Sequence, residues 1–111
     1  MDSMDVCSLF YNLVLNSIEA NYKLSNNRFI KLYVANIKRN LLIKIINPVD
    51  KYFDINIIKE NKTTKEDKEN HGLGTQIIND IAYKYNGNVK YEIVDNQFIA
   101  NVMLECVKTT V

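Results

Sequence analysis

The apolar positions of this chain fall into runs whose spacing predicts two helices and four strands. From Asp5 to about Asn21, Val6, Cys7, Leu9, Phe10, Leu13, Val14, Leu15 and Ile18 cover most of a helix's circumference. The remaining positions, Asp5, Ser8, Asn12, Asn16 and Glu19, fall in one polar stripe roughly 80° wide. Such a stripe either faces solvent or carries ligand contacts. Asn12 and Asn16 stand at i, i+4, so their amides lie one turn apart on one side and can converge on a cation or its waters. After a turn at Asn26-Asn27, Arg28 to Asn36 alternates, with Ile30, Leu32 and Val34 on one face and Phe29, Lys31 and Tyr33 on the other. A polar turn over Asn36–Asn40 leads into Leu41–Ile46, and the two runs predict an antiparallel hairpin. Pro48 cannot continue a ladder and ends the second strand, leaving Asn47 at its C-terminal edge, a usual place for ligand contacts.

Between Val49 and Asn70 the pattern dissolves. Ile55, Ile57 and Ile58 anchor part of the segment, but Lys59 to Asn70 is almost wholly polar, with Lys and Glu interleaved. A connection this long inside a compact domain reads as a mobile lid with a solvated face, with room for a short helical turn at Thr63–Lys68. Asn70-His71-Gly72-Leu73-Gly74-Thr75 follows, at the mouth of the repeat Ile77, Ile78, Ile81, Ala82, Tyr85, whose spacing is that of a buried helical face. Glycines at a helix start leave its first N–H groups uncovered by side chains, and those groups with the helix dipole form an anion site. Taken alone, glycines at a helix start are more often plain turn residues. Asn86-Gly87 stops this helix, and Val89–Val94 and Gln97–Cys106 are two further strands joined at Asp95-Asn96. The inward face of the last strand is Phe98, Ala100, Val102 and Leu104. The order helix, two strands, lid, helix, two strands predicts an α+β fold: a two-layer α/β sandwich, its sheet mostly antiparallel, with helices on one face.

Composition narrows the class. A chain of 111 residues supports one domain with a real core. With 14 basic against 13 acidic residues, the net charge of +1 gives no field that favours nucleic acid or an anionic membrane. No apolar run reaches the ~20 residues of a membrane span, and no secretory leader pattern opens the chain. Cys7 and Cys106, at opposite ends in apolar surroundings, read as two reduced, buried thiols of a cytoplasmic protein. One His and two scattered Cys make no structural zinc site.

Two motifs in order then carry a resemblance over essentially the whole chain. Leu9-Phe10-Tyr11-Asn12-Leu13-Val14-Leu15-Asn16-Ser17-Ile18-Glu19-Ala20 resembles the Asn-rich helix of the GHKL ATPase superfamily, which includes gyrase and the histidine kinases. His71-Gly72-Leu73-Gly74, with the Ile-Ile helix and Lys84-Tyr85-Asn86-Gly87 behind it, is similar to the second glycine box of sensor histidine kinases. The nearest likeness is to the catalytic domain of peptide quorum-sensing, accessory-gene-regulator-type kinases of low-GC Gram-positive bacteria. The resemblance implies a Bergerat-type ATP-binding fold over residues 1–111, cut from a larger membrane-anchored sensor kinase and lying in the cytoplasm without membrane contact of its own. It implies ATP and Mg²⁺ as cofactors, Asn16 as Mg²⁺ ligand with Asn12 its partner, and His71, Gly72, Leu73, Gly74 and Thr75 around the phosphates, His71 in a structural role. It further implies transfer of the γ-phosphoryl group to a His on a separate dimerisation domain, and from there to a response regulator.

The departures sharpen what is expected. Where the family carries an Asp-x-Gly-x-Gly box whose Asp accepts from the adenine amino group, this chain has Asn47-Pro48-Val49. An amide oxygen still accepts but lacks the charge, so altered adenine recognition is expected. Glu19 stands where many kinases place a phosphate-reaching Lys, for which Lys23, Lys62, Lys65 or Lys68 can substitute. Asn12 stands where ATP-hydrolysing relatives place a Glu as general base. An amide cannot take that proton, which favours phosphoryl transfer over hydrolysis. The competing readings are a degenerate nucleotide-binding interaction module and a stand-alone serine kinase of the anti-sigma-factor type.

Overall fold

The computed structural model describes residues 2–50 and 73–105. The lid, the helical turn at Thr63–Lys68, the lysines 62, 65 and 68, His71, Gly72 and Cys106 lie outside the described residues. Helix α1 spans Ser3–Tyr22, strand β1 Lys31–Ile37, β2 Asn40–Pro48, helix α2 Leu73–Lys84, β3 Asn88–Val94 and β4 Gln97–Glu105. The strands form one antiparallel sheet in the order β1-β2-β4-β3, with both helices packed on one face. This is the expected α+β sandwich.

Local chemistry sets each boundary. Asp2 caps α1, its carboxylate accepting from the Met4 N–H at 2.8 Å. β3 and β4 join through Asp95-Asn96 with φ of 51° and 59°, the doubly left-handed turn that matches strand twist and that Asp and Asn tolerate. Pro48 is the last residue of β2, opposite Gln97. At the end of α2, Asn86 takes the left-handed conformation (φ 55°), while the Gly87 N–H reaches back to Ala82 and the Asn86 N–H to Tyr83, a Schellman closure. Gly87 is needed here for a different reason: a Cβ on it would lie 1.7 Å from the Met103 carbonyl oxygen of β4. The Glu105 N–H bonding the Tyr85 carbonyl at 2.9 Å locks the same junction.

The core lies between the helices and the central strands. It holds Leu9 and Leu13 of α1, Ile43 and Ile45 of β2, Ile78, Ile81 and Ala82 of α2, and the anticipated Phe98, Ala100, Val102 and Leu104 of β4. On α2, Ile77 and Tyr85 are only half-buried at the margin. β1 alternates as expected, yet every one of its residues is exposed, because the helices pack over β2, β3 and β4 and leave this edge strand uncovered. α1 also departs from expectation. Only one side of it is buried, and Cys7 is an exposed free thiol, not a buried one, because it projects away from the sheet. Asp5, from the polar stripe, ties the start of α1 to the end of α2. Lys84 Nζ donates to it at 2.7 Å and the Tyr85 hydroxyl at 2.6 Å, while that hydroxyl accepts from the Asp2 N–H. Those two donors hold the Asp5 carboxyl below its ordinary pKa.

Tyr91 is stacked on Phe98 at 5.6 Å between ring centroids, and its hydroxyl is buried without a hydrogen-bond partner among the described residues. Burial pushes its phenol up to about 12. Since the folded value lies above the unfolded one, the associated stability is complete below pH ~10 and is lost as pH rises toward 12, by up to about 2–3 kcal/mol. Tyr91→Phe is expected to be at least as stable as the parent at pH 7. Its parent-minus-variant difference in urea midpoint should fall between pH 9 and 11.5. Gly87→Ala is expected to cost about 3 kcal/mol, because the clash is with backbone, and a urea melt at pH 7 reads it directly.

Candidate functional site

Two surfaces meet where α1 passes the start of α2. On α1, Asn12 is 7% exposed and Asn16 is half-buried, so this part of the polar stripe faces the protein and not bulk solvent. The Asn12 amide is oriented by its own helix: Nδ2 donates to the Ser8 carbonyl at 2.7 Å, which leaves Oδ1 to point away from α1. On α2, Gly74 and Thr75 are buried against it. A Cβ on Gly74 would lie 3.0 Å from Asn12 Oδ1 and 3.5 Å from Asn16 Oδ1, so both amide oxygens converge on the first turn of α2. A side chain there would press on the Asn12 amide, so glycine suits this close approach.

The electrostatics are complementary. The N–H groups of a helix's first turn have no acceptors within the helix and carry its positive end. No acidic side chain in the first turn of α2 neutralises them. Partly negative amide oxygens therefore lie next to a positive helix end, an arrangement that suits an anion together with a small hard cation. Among the described residues no cluster of three or more His, Cys, Asp or Glu offers a metal site. A cation here would rest on amide oxygens and on oxygens the anion supplies.

Asn47 lies deeper than its position at a strand end suggested. It is 1% exposed; its Oδ1 accepts from the Ser17 hydroxyl at 2.9 Å and its Nδ2 donates to the Pro48 carbonyl at 3.0 Å. The structure thus joins it to Ser17 of α1, the residue that follows Asn16. Leu73 opens α2, whereas His71 and Gly72 are outside the described residues. Glu19 is half-buried on α1, and Lys23 is exposed at its C-cap. Sequence reasoning missed Ser17 and Asn21. Asn21 exchanges a pair of hydrogen bonds with the Phe29 backbone, Nδ2 to its carbonyl at 3.0 Å and Oδ1 from its N–H at 3.1 Å, fixing the entry to β1. The available signal was the second i, i+4 polar pair, Ser17 and Asn21, beside the first.

The sequence profile of the GHKL domain family matches residues 1–105. No curated protein sequence matches the chain. Among solved structures, the nucleotide-free catalytic domain of histidine kinase ThkA is similar at a TM-score of 0.74 and 19% identity, over 95% of this chain and 67% of that one. The histidine kinase AdeS of Acinetobacter baumannii gives 0.67 at 16% identity, over 96% of this chain and 48% of its own. A blue-light activated histidine kinase domain of Erythrobacter litoralis gives 0.67 at 10%, over 92% and 43%. At these identities the likeness is one of fold.

Ser17→Ala leaves the buried Asn47 oxygen without its donor. It is expected to lower stability by about 1–3 kcal/mol in urea melts, whereas Ser17→Thr, which keeps the hydroxyl, should recover part of the loss.

Proposed function

Because the chain belongs to the GHKL domain family, we propose that it is the ATP-binding catalytic domain of a sensor histidine kinase, transferring the γ-phosphoryl group of Mg–ATP to a His on a separate dimerisation domain. The supporting observation is the convergence of the Asn12 and Asn16 oxygens on the start of α2 at Gly74. In this reading the N–H groups from His71 to Thr75 bind the phosphates, and Asn16, with Asn12 beside it, holds the ion. Two hard oxygen donors next to a helix N-terminus fit Mg²⁺ that completes its shell from phosphates and water. Bound there, Mg²⁺ would supply charge neutralisation along the phosphate chain. Asn12 positions but does not deprotonate, since its Nδ2 is engaged by Ser8 and an amide is no base at neutral pH. The chemistry thereby favoured is transfer to an incoming nucleophile over attack by water. The quorum-sensing subgroup, a bacterial source and a cytoplasmic location beneath a membrane anchor belong to the same proposal. Among the described residues no helix is long and apolar enough to cross a membrane.

One observation favours a second reading. Asn47, the residue expected at the base, is buried and already bonded at both ends of its amide, which suits a degenerate nucleotide module acting through interactions alone.

Titration calorimetry with Mg–ATP is expected to show binding at or below about 1 mM. Asn16→Ala should weaken it at least tenfold while leaving the melting temperature unchanged, because the residue is only half-buried. Unchanged affinity in that variant would remove Asn16 from the site, and no binding of ATP or ADP would end the kinase reading. Incubating the chain with the dimerisation domain and labelled ATP separates the two functions: phosphohistidine is expected from a kinase and none from the interaction module.

A further inference from the structure

Helix α1 is apolar on two opposite sides, and the fold uses only one. Leu9 and Leu13 point into the core, while Met4 (79% exposed), Tyr11 (66%), Ile18 (38%) and Tyr22 (75%), together with exposed Cys7, point away from it. At about 100° per residue these five side chains lie within an arc roughly 60° wide, with half-buried Val14 at its border. Positions 4, 7, 11, 14 and 18 step by three and four, the spacing of a helix–helix seam. No charged side chain interrupts the seam. A helix with apolar residues all round is ordinarily covered all round.

We propose that the outer face of α1 is a self-association surface on which two copies of the chain pair their α1 helices antiparallel about a two-fold axis. The seam spacing calls for a helix as occupant, and this chain supplies one of matching length. The five exposed side chains present on the order of 600 Å², at the upper end for the largest patch on a monomer and most of the ~800 Å² each partner gives to a stable interface. The helix dipoles decide the direction, because only antiparallel pairing sets the opposite ends of the two helices together. With Tyr11 opposite Val14, antiparallel pairing places Cys7 opposite Ile18, whereas parallel pairing would set Cys7 against Cys7. Asn12 and Asn16 lie roughly 120° around the helix from this seam, so pairing leaves the candidate site open.

Sedimentation equilibrium of the full chain under reducing conditions is expected to show a monomer–dimer equilibrium with Kd of about 10–100 μM, weak because the area is at the low end for specific interfaces. Tyr11→Glu should weaken it at least tenfold without moving the melting temperature. In a Cys106→Ser background, Ile18→Cys under mild oxidation should give an intermolecular disulfide between Cys7 of one copy and the introduced thiol of the other. Three results would overturn the proposal: a monomer up to 500 μM, a dimer indifferent to Tyr11→Glu, or ready Cys7–Cys7 cross-linking in the Cys106→Ser parent. The cross-linking arm keeps the proposal testable if Tyr11→Glu disturbs the fold.

Discussion

To pack against the sheet, α1 must bury polar side chains, and each of them has to find a partner. Asn12 bonds the Ser8 carbonyl, Ser17 bonds Asn47 of β2, and Asn21 bonds both the Ser17 carbonyl and the Phe29 backbone. A buried polar group without a partner costs about 1–3 kcal/mol, so the contacts that leave the helix, Ser17 to Asn47 and Asn21 to Phe29, fix its rotation. Asn is also a poor helix former, which makes tertiary packing and not propensity the source of α1's stability. The rotation so chosen brings Leu9 and Leu13 into the core and aims the Asn12 and Asn16 oxygens at the start of α2. One constraint therefore sets both the packing and the candidate site.

The second helix is held to this arrangement from both ends. At its start, Gly74 permits close approach to Asn12; at its finish, Gly87 permits contact with Met103 while Asn86 supplies the left-handed residue. The Asp5–Lys84–Tyr85 cluster fastens the far ends of the helices together. Two glycines thus act by absence of volume at opposite ends of one element, neither of them with a positive φ.

The two ends of the candidate site differ in kind. In the proposed kinase reading, recognition around Gly74 would rest on backbone N–H groups and neutral amides, which suit phosphate oxygens and a hard cation whatever group lies beyond them. Asn47 belongs to the interior tie between α1 and β2. In the proposed kinase reading, affinity is concentrated on the phosphate half, and the base half leans on a side chain already engaged within the protein. The resemblance seen in the motifs and the fold shared with kinase catalytic domains therefore support different amounts of detail at the two ends.

Periodicity alone determined the elements. The two helices, the two hairpins and the inward face of β4 follow from 3.6- and 2-residue repeats and from turn residues such as Asp95-Asn96, because these are local properties of the backbone. The motifs around Asn12, Asn16 and Gly74 likewise picked out residues that the fold brings together. What the sequence left open was which side of each element would be covered. α1 reads as apolar nearly all round, so nothing local says that Cys7 and Tyr11 face outward, and β1 alternates correctly yet is exposed throughout. Only the packed sheet decided these points, because burial depends on the neighbours an element finds. The same dependence ties Asn47, at the end of β2, to Ser17, thirty positions away in the chain, by a buried hydrogen bond.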